Sequence, residues 1–249
     1  MGRKGSPEPP EYFFEYPRMV KFRVGLSIVH ASATLFSRTY PHILNASIVP
    51  RPWYRPMRLL AAWLPCSLQR LLKIYLPGAF MPPRVVVKQL LKTDECATEL
   101  FDNEIRAYGR LQHLQGTAIP RAIPRFFGEG TCEGKRALVL SLIDGPTAVQ
   151  QQEPMSVEAF QQKVEITLAK FEAANMVYAD VKLDRVILAE NGELVIIDLE
   201  FVHEPEDRPE RRFRNAVISF VDRYRQFLKN METQRARLDG SSRAAYQKR

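Results

Sequence analysis

The stretch FEAANMVYADVKLDRVILAENGELVIIDLEF, residues 171–201, decides the predicted fold. Two apolar runs within it, VIL and LVII, are rich in β-branched residues. They flank Asn191 and Gly192, the dipeptide that most strongly predicts a β-hairpin turn. Asp180 precedes the first run and Asp198 ends the second. The pattern predicts a hairpin with two carboxylates at its open end, where they repel each other unless a cation lies nearby.

Two acids in this position suit a phosphoryl-transfer site. In such a site one carboxylate orients the attacking hydroxyl, and another holds the Mg²⁺ that bridges the nucleotide phosphates. The alternative is that Asp180 and Asp198 only cap turns beside the hairpin. We favour phosphoryl transfer because both acids flank a single hairpin in the order that this chemistry uses.

Two short motifs in the stretch are similar to those of the protein-kinase-like superfamily. YADVK, residues 178–182, resembles the catalytic loop H-R-D-x-K, and DLE, which begins at Asp198, resembles D-F-G. The resemblance implies that Asp180 is the catalytic base, that Lys182 contacts the γ-phosphate of ATP and that Asp198 binds Mg²⁺. It therefore implies ATP and Mg²⁺ as cofactors.

Arg185 departs from the family pattern. It stands where the superfamily carries an Asn that binds the second metal ion, and a guanidinium cannot ligate a cation. A one-metal mechanism, help from Asp184 and loss of catalysis all remain open. Arg185 either repels the cation or contacts the nucleotide phosphates in its place. No G-x-G-x-x-G lies between residues 50 and 88, so the glycine-rich lid over the phosphates is also missing.

A second pair of candidate residues lies upstream. RVVVKQLL, residues 84–91, reads as a buried strand that contains Lys88, and it resembles the kinase V-A-I-K motif. A helix is predicted from Thr93 or Asp94 to about residue 114, with Glu104 on its apolar stripe. A buried carboxylate is costly without a cation, so we predict an ion pair between Lys88 and Glu104. The resemblance to the V-A-I-K motif implies that this pair positions the nucleotide phosphates. The alternative places Glu104 half-exposed at the edge of the stripe.

The helix motif F-x-x-E-x-x-x-Y-x-x-L-x-x-L-Q-G is more specific. With the following I-P and two strands, it resembles a group of atypical kinase-like proteins common in fungi. The resemblance covers residues 84–203, about half the chain. It implies that residues 141–145 form the hinge along the adenine, with Ser141 and Ile143 among the nucleotide-binding residues.

These observations predict an α+β, two-lobed protein-kinase-like fold with a small β-rich N-lobe and a shortened, mainly helical C-lobe. The predicted divisions are a disordered basic and proline-rich tail (1–18), an N-terminal extension (19–83), the kinase-like domain (84–238) and a polar tail (239–249). The extension is predicted to contain strand-like residues 19–36, a proline-rich loop over 37–56 and helical residues 58–75, interrupted at Pro65.

The bulk composition narrows the class of protein. The 249 residues carry a formal charge of +8, which favours anionic partners such as nucleotides, nucleic acid or acidic membrane surfaces. Three cysteines without C-x-x-C spacing predict free thiols in a reducing compartment. With no apolar run long enough to span a membrane, we expect an intracellular protein, cytoplasmic or nuclear. Residues 58–75 fit either a helix packed on a neighbouring domain, which we favour, or an interfacial membrane helix.

The predicted function is an ATP- and Mg²⁺-dependent phosphotransferase whose acceptor, a protein or a small molecule, is open. The alternative is a pseudokinase that binds or regulates a partner, which Arg185 and the missing glycine-rich loop favour. A basic module for nucleic acid or a membrane surface ranks last, since only the charge favours it.

Overall fold

The computed structural model describes residues 17–37, 40–91, 93–116, 125–205 and 209–246, and side chains as far as residue 237. All of the predicted N-terminal tail except residues 17 and 18 lies outside this description. The described residues belong to two compact units. Unit 1 comprises those within Met1–Ile105 and Arg125–Leu142, and unit 2 those within Arg106–Pro124 and Ile143–Arg249.

Unit 1 is built on a closed β-barrel. Its six strands are β1 (Arg18–Val24), β2 (Ser27–Ser37), β3 (Tyr40–Ile48), β4 (Arg84–Gln89), β5 (Phe126–Cys132) and β6 (Lys135–Ser141). All neighbours are antiparallel, in the order β1-β2-β3-β4-β6-β5, and β1 pairs with β5 to close the barrel. Alternate side chains such as Phe22, Val85 and Val87 fill the interior, as the two-residue period of a strand requires.

The barrel overturns the predicted fold class. The prediction of a two-lobed protein-kinase-like fold with a small β-rich N-lobe is wrong, because the strands of unit 1 form a closed six-stranded antiparallel barrel. The physical reason lies in the segment before residue 84. Its three strands β1, β2 and β3 add to β4, and the free edge of β1 then meets β5 through Phe22, Arg23 and Val24.

The prediction of a loop over residues 37–56 is also wrong for residues 40–48. These form β3, which pairs with both β2 and β4. The proline that argued against a strand, Pro41, lies at a register shift between β2 and β3. A bulge is one of the few places where a strand tolerates a residue without a backbone N–H.

Three helices belong to the connections of the barrel. They are α1 (Tyr54–Ala62), α2 (Cys66–Tyr75) and α3 (Glu95–Arg110). The predicted break at Pro65 is confirmed, since this residue separates α1 from α2. The predicted start of α3 is confirmed as well, because the Asp94 side chain accepts a hydrogen bond from the Ala97 N–H at 2.9 Å.

Asp94→Ala is expected to lower the free energy of unfolding by about 1 kcal/mol, because it removes the acceptor for an N–H group in the first turn of α3. Asp94→Asn is the matched control, since its amide oxygen can accept the same bond. Urea unfolding followed by circular dichroism measures both variants. Equal losses in the two would show that charge rather than capping matters at this position.

Unit 2 contains the predicted hairpin and two long helices. Its elements are α4 (Val157–Ala173), β7 (Val177–Tyr178), β8 (Val186–Leu188), β9 (Leu194–Ile196), β10 (Val202–His203) and α5 (Pro209–Tyr246). β8 and β9 pair antiparallel around Gly192, whose φ is +80°, so the hairpin is confirmed. Thr167 of α4 donates its hydroxyl to the Leu194 carbonyl at 3.1 Å and holds the hairpin against the helix.

Helix α5 packs its aromatic stripe inside unit 2. Tyr224 stacks on Phe160 of α4 with ring centroids 4.0 Å apart, and Phe220 stacks on Tyr178. The helix extends to Tyr246, so it takes in much of the predicted polar tail. Among the described helices, none has both the length and the apolar composition that crossing a bilayer requires.

Candidate functional site

The acids predicted from the hairpin lie in unit 2 at the ends of short strands. Asp180 follows β7, and Asp198 follows β9. Arg185 ends a 3₁₀ turn just before β8. Two backbone hydrogen bonds join these segments: the Ile197 N–H donates to the Arg185 carbonyl at 2.9 Å, and the Ala179 N–H donates to the Phe201 carbonyl at 3.1 Å. The hairpin therefore fixes both acids and the arginine at one end of the unit.

One guanidinium joins the two carboxylates. Nη1 of Arg185 contacts Oδ2 of Asp180 and also Oδ2 of Asp198. Nζ of Lys182 lies 3.2 Å from the other carboxylate oxygen of Asp180. We call these four residues the hairpin ion network. The predicted convergence of Asp180 and Asp198 is thus present, and the group at their meeting point is an arginine.

The network is shielded from solvent except at its lysine. The side chains of Asp180, Arg185 and Asp198 are 13%, 15% and 19% exposed, whereas that of Lys182 is 47% exposed. Two acids and two bases give the network a formal charge of zero. Because solvent access to the pairs made by Arg185 is restricted, salt screens them less than an ordinary surface salt bridge.

Burial and the nearby carboxylates shift the pKa values of Arg185 and Tyr178. Burial works to lower the pKa of the Arg185 guanidinium, but the carboxylates of Asp198 and Asp180 outweigh it and the pKa is raised. For the neighbouring Tyr178 phenol, by contrast, burial raises the pKa, and the same two carboxylates reinforce that shift. Both groups therefore keep their protons, and Arg185 remains a permanent cation between the acids.

Tyr178 anchors this end of the unit. Its side chain is buried, its ring stacks on Phe220 at 6.1 Å and tilts against Phe171 at 6.3 Å. Asp198 has a φ of +68°, in the left-handed region that costs a residue with a side chain roughly 1–2 kcal/mol. The surrounding contacts hold that backbone in place, and they aim its carboxylate at Arg185.

The predicted pair of Lys88 and Glu104 is present in unit 1. Nζ of Lys88 lies 2.7 Å from Oε2 of Glu104, and the two side chains are 8% and 0% exposed. Lys88 alternates with Val87, which faces the barrel interior, so the lysine leaves the outer face of β4 toward α3. The alternative of a half-exposed Glu104 is wrong.

The two predicted hinge residues have different surroundings. Ser141 ends β6, where its N–H donates to the Arg125 carbonyl and its hydroxyl accepts from the Arg125 N–H, both at 2.8 Å. Ile143 is buried and packs on Ile187 and Val195 of the hairpin. The division between the two units falls between these residues, after Leu142. Their proposed contacts with a nucleotide stay predictions.

The sequence did not predict that Arg185 and Lys182 would balance the charge of the two carboxylates within the hairpin ion network. The resemblance to kinase-like proteins placed Arg185 at a metal-binding position, but nothing in the sequence showed that the guanidinium would contact both acids. The pairing of Lys182 with Asp180 was also missed. The only available signal was the alternation of acid and base in D-V-K-L-D-R, which short local pairs often produce.

No protein-family model matches this chain, and no curated protein does so either. The resemblance to kinase-like proteins therefore depends on the short motifs alone. Fold alone does not determine function, which depends on the residues of the site.

Proposed function

We propose that this chain is a catalytically silent binding module, the pseudokinase alternative of the sequence analysis. Its two candidate phosphoryl-transfer acids, Asp180 and Asp198, are both paired with Arg185. The observation that carries the proposal is the contact of one guanidinium with both Asp180 and Asp198. The proposal concerns the site and its chemistry, and it does not depend on a kinase-like fold.

The charge balance disfavours metal binding. Mg²⁺ requires carboxylate oxygens in near-octahedral geometry and gives up its water reluctantly. Here the facing oxygens of Asp180 and Asp198 are already paired with the Arg185 guanidinium. A metal ion would have to displace this permanent cation before it could bind both carboxylates. The neutral network also offers no surplus positive charge to nucleotide phosphates.

The exposed part of the site favours a protein partner. An open groove in unit 2 begins at Lys182, and apolar as well as polar residues line it, among them Val149, Phe227 and Asn230. An apolar centre with a polar rim is typical of reversible protein interfaces. The free cysteines Cys66, Cys96 and Cys132 fit a reducing compartment, so we place the module in the cytoplasm or nucleus.

The second candidate is the ATP- and Mg²⁺-dependent phosphotransferase. Two observations favour it: the buried pair of Lys88 and Glu104 in unit 1, and the left-handed backbone of Asp198 in unit 2. Pairs and backbone conformations of this kind are costly and are often kept for function. In this candidate Arg185 supplies positive charge to the phosphates in place of a second metal ion.

Arg185→Asn separates the two candidates. For a silent module, we expect the unaltered protein to show no Mg²⁺-dependent ATP turnover and no Mg²⁺-dependent rise in Tm. The variant exposes two carboxylates and adds an amide oxygen, so Mg²⁺ should raise its Tm. Isothermal titration with ATP, with and without Mg²⁺, measures nucleotide binding in both proteins.

Arg214→Asn is the matched control, because it removes an exposed arginine of α5 that lies outside both the hairpin ion network and the groove. It should behave like the unaltered protein. The opposite result, turnover in the unaltered protein that falls by about an order of magnitude or more in Arg185→Asn, would reject the silent module and support the phosphotransferase.

A further inference from the structure

Helix α1 exposes large apolar side chains to solvent. Its buried side, Tyr54 and Ala61, packs within unit 1. On the other side Leu59 and Leu60 are 69% and 58% exposed, and Trp63, directly after the helix, is 89% exposed. A surface helix normally turns charged or polar side chains to water. Here the outward side carries the largest apolar groups, so water is not the environment it suits best.

Helix α2 continues this exposed apolar surface. None of its residues is buried, and Leu68, Leu71, Ile74 and Tyr75 are between 45% and 64% exposed. Leu26, in the turn between β1 and β2, is 63% exposed, and its N–H donates to the Tyr75 carbonyl at 3.0 Å. We call Leu26 and the exposed apolar residues of 59–75 the apolar face. Large apolar surfaces of this kind mark binding sites.

The charge of the surrounding segment is entirely positive. Residues 16–93 contain twelve of the 36 lysines and arginines and none of the 28 acidic residues, so the rest of the chain has a formal charge of −4. Arg55, Arg70 and Lys73 are exposed on α1 and α2 beside the apolar face. No carboxylate in the described part of the chain forms an ion pair with any of these three.

We propose that the apolar face binds an anionic lipid bilayer surface. Leucines and Trp63 enter the boundary between headgroups and acyl chains, where tryptophan is favoured, and Arg55, Arg70 and Lys73 contact the lipid phosphates. The purely basic charge complements an anionic leaflet. It disfavours a second copy of the chain, because a two-fold contact would bring like charges together. Nucleic acid would leave the leucines uncovered. This inference is independent of the proposed function.

The full chain is tested with phosphatidylcholine vesicles that either contain or lack phosphatidylserine. Since Trp53 and Trp63 are the only tryptophans, Trp53→Phe makes Trp63 the sole fluorophore. We expect flotation with the phosphatidylserine vesicles and a blue shift of the Trp63 emission. An unshifted emission, absence of flotation or equal binding to both kinds of vesicle would overturn the proposal.

Two variants identify the surface. Trp63→Ser should weaken vesicle binding by about tenfold or more, and joint replacement of Arg55, Arg70 and Lys73 by Gln should weaken it by about a hundredfold. The matched controls are Ile218→Ser and joint replacement of Arg211, Arg214 and Lys229 by Gln, all exposed on α5. These should change binding less than about twofold. Equal losses in the controls would overturn the proposal, as would a dimer in solution that Trp63→Ser dissociates.

Discussion

Lys88→Met is expected to lower the free energy of unfolding by about 3–5 kcal/mol. The variant leaves the Glu104 carboxylate, which is 0% exposed, without the ammonium group that contacts it at 2.7 Å. Removing one partner of a buried ion pair is costly because the remaining charge cannot regain its hydration. Urea unfolding followed by circular dichroism, with Trp fluorescence as a second probe, measures the change.

Two controls isolate the role of burial. Arg18→Met breaks another ion pair of unit 1, to Glu133, whose separation is also 2.7 Å but whose side chains are 39% and 37% exposed. Loss of this exposed ion pair should lower the free energy of unfolding by at most about 1 kcal/mol. Replacing Lys88 by Met and Glu104 by Leu together should restore most of the lost stability, because no buried charge then remains. A single Lys88→Met variant as stable as Arg18→Met would contradict this account.

The features that sequence predicted correctly depend on short-range patterns. Asn191 and Gly192 between two apolar runs are sufficient to define a hairpin, because its register is set by the turn itself. The position of Glu104 on an apolar stripe was enough to require a cation. In both cases the deciding residues lie within a few turns or one hairpin, where periodicity carries the information.

The barrel could not be predicted in the same way. Its closure joins β1 to β5, more than a hundred residues apart in sequence, and no local pattern marks such a pair. The strand β3 was missed because the repeated prolines of residues 37–56, Pro41 among them, predict a loop, although pairing with strands on both sides outweighs that preference. Similarity in the order of motifs therefore did not carry over to the arrangement of the strands.

The candidate site could be predicted from the sequence only in part. The sequence identified Asp180, Asp198 and Arg185 and brought all three to one end of the hairpin. Whether the guanidinium lies apart from the acids or between them depends on side-chain rotamers and on the left-handed backbone of Asp198, and sequence spacing defines neither. That detail is what changes the expected chemistry, because it decides whether a cation site is open.

Gly130→Ala is expected to lower the free energy of unfolding by about 3 kcal/mol or more, because it disrupts barrel closure. Gly130 pairs with Val24 across the junction of β1 and β5. A Cβ at this position would lie 1.7 Å from the Arg23 carbonyl oxygen, which belongs to the backbone and cannot rotate away. The two strands must therefore separate, and separation exposes the apolar interior.

Cys132 provides a direct measurement of this separation. It lies on β5, is fully buried and pairs with Phe22 of β1, whereas Cys66 and Cys96 are exposed. Burial raises the pKa of the Cys132 thiol, which slows its reaction further in the closed barrel. With a thiol reagent, two cysteines should react quickly in the unaltered protein and all three in Gly130→Ala.

The control is Gly109→Ala, on an exposed turn of α3 with open space around its Cβ. It should keep two fast thiols and gain about 0.5–1 kcal/mol of stability. Two fast thiols and unchanged stability in Gly130→Ala would show that β1 and β5 do not close the barrel.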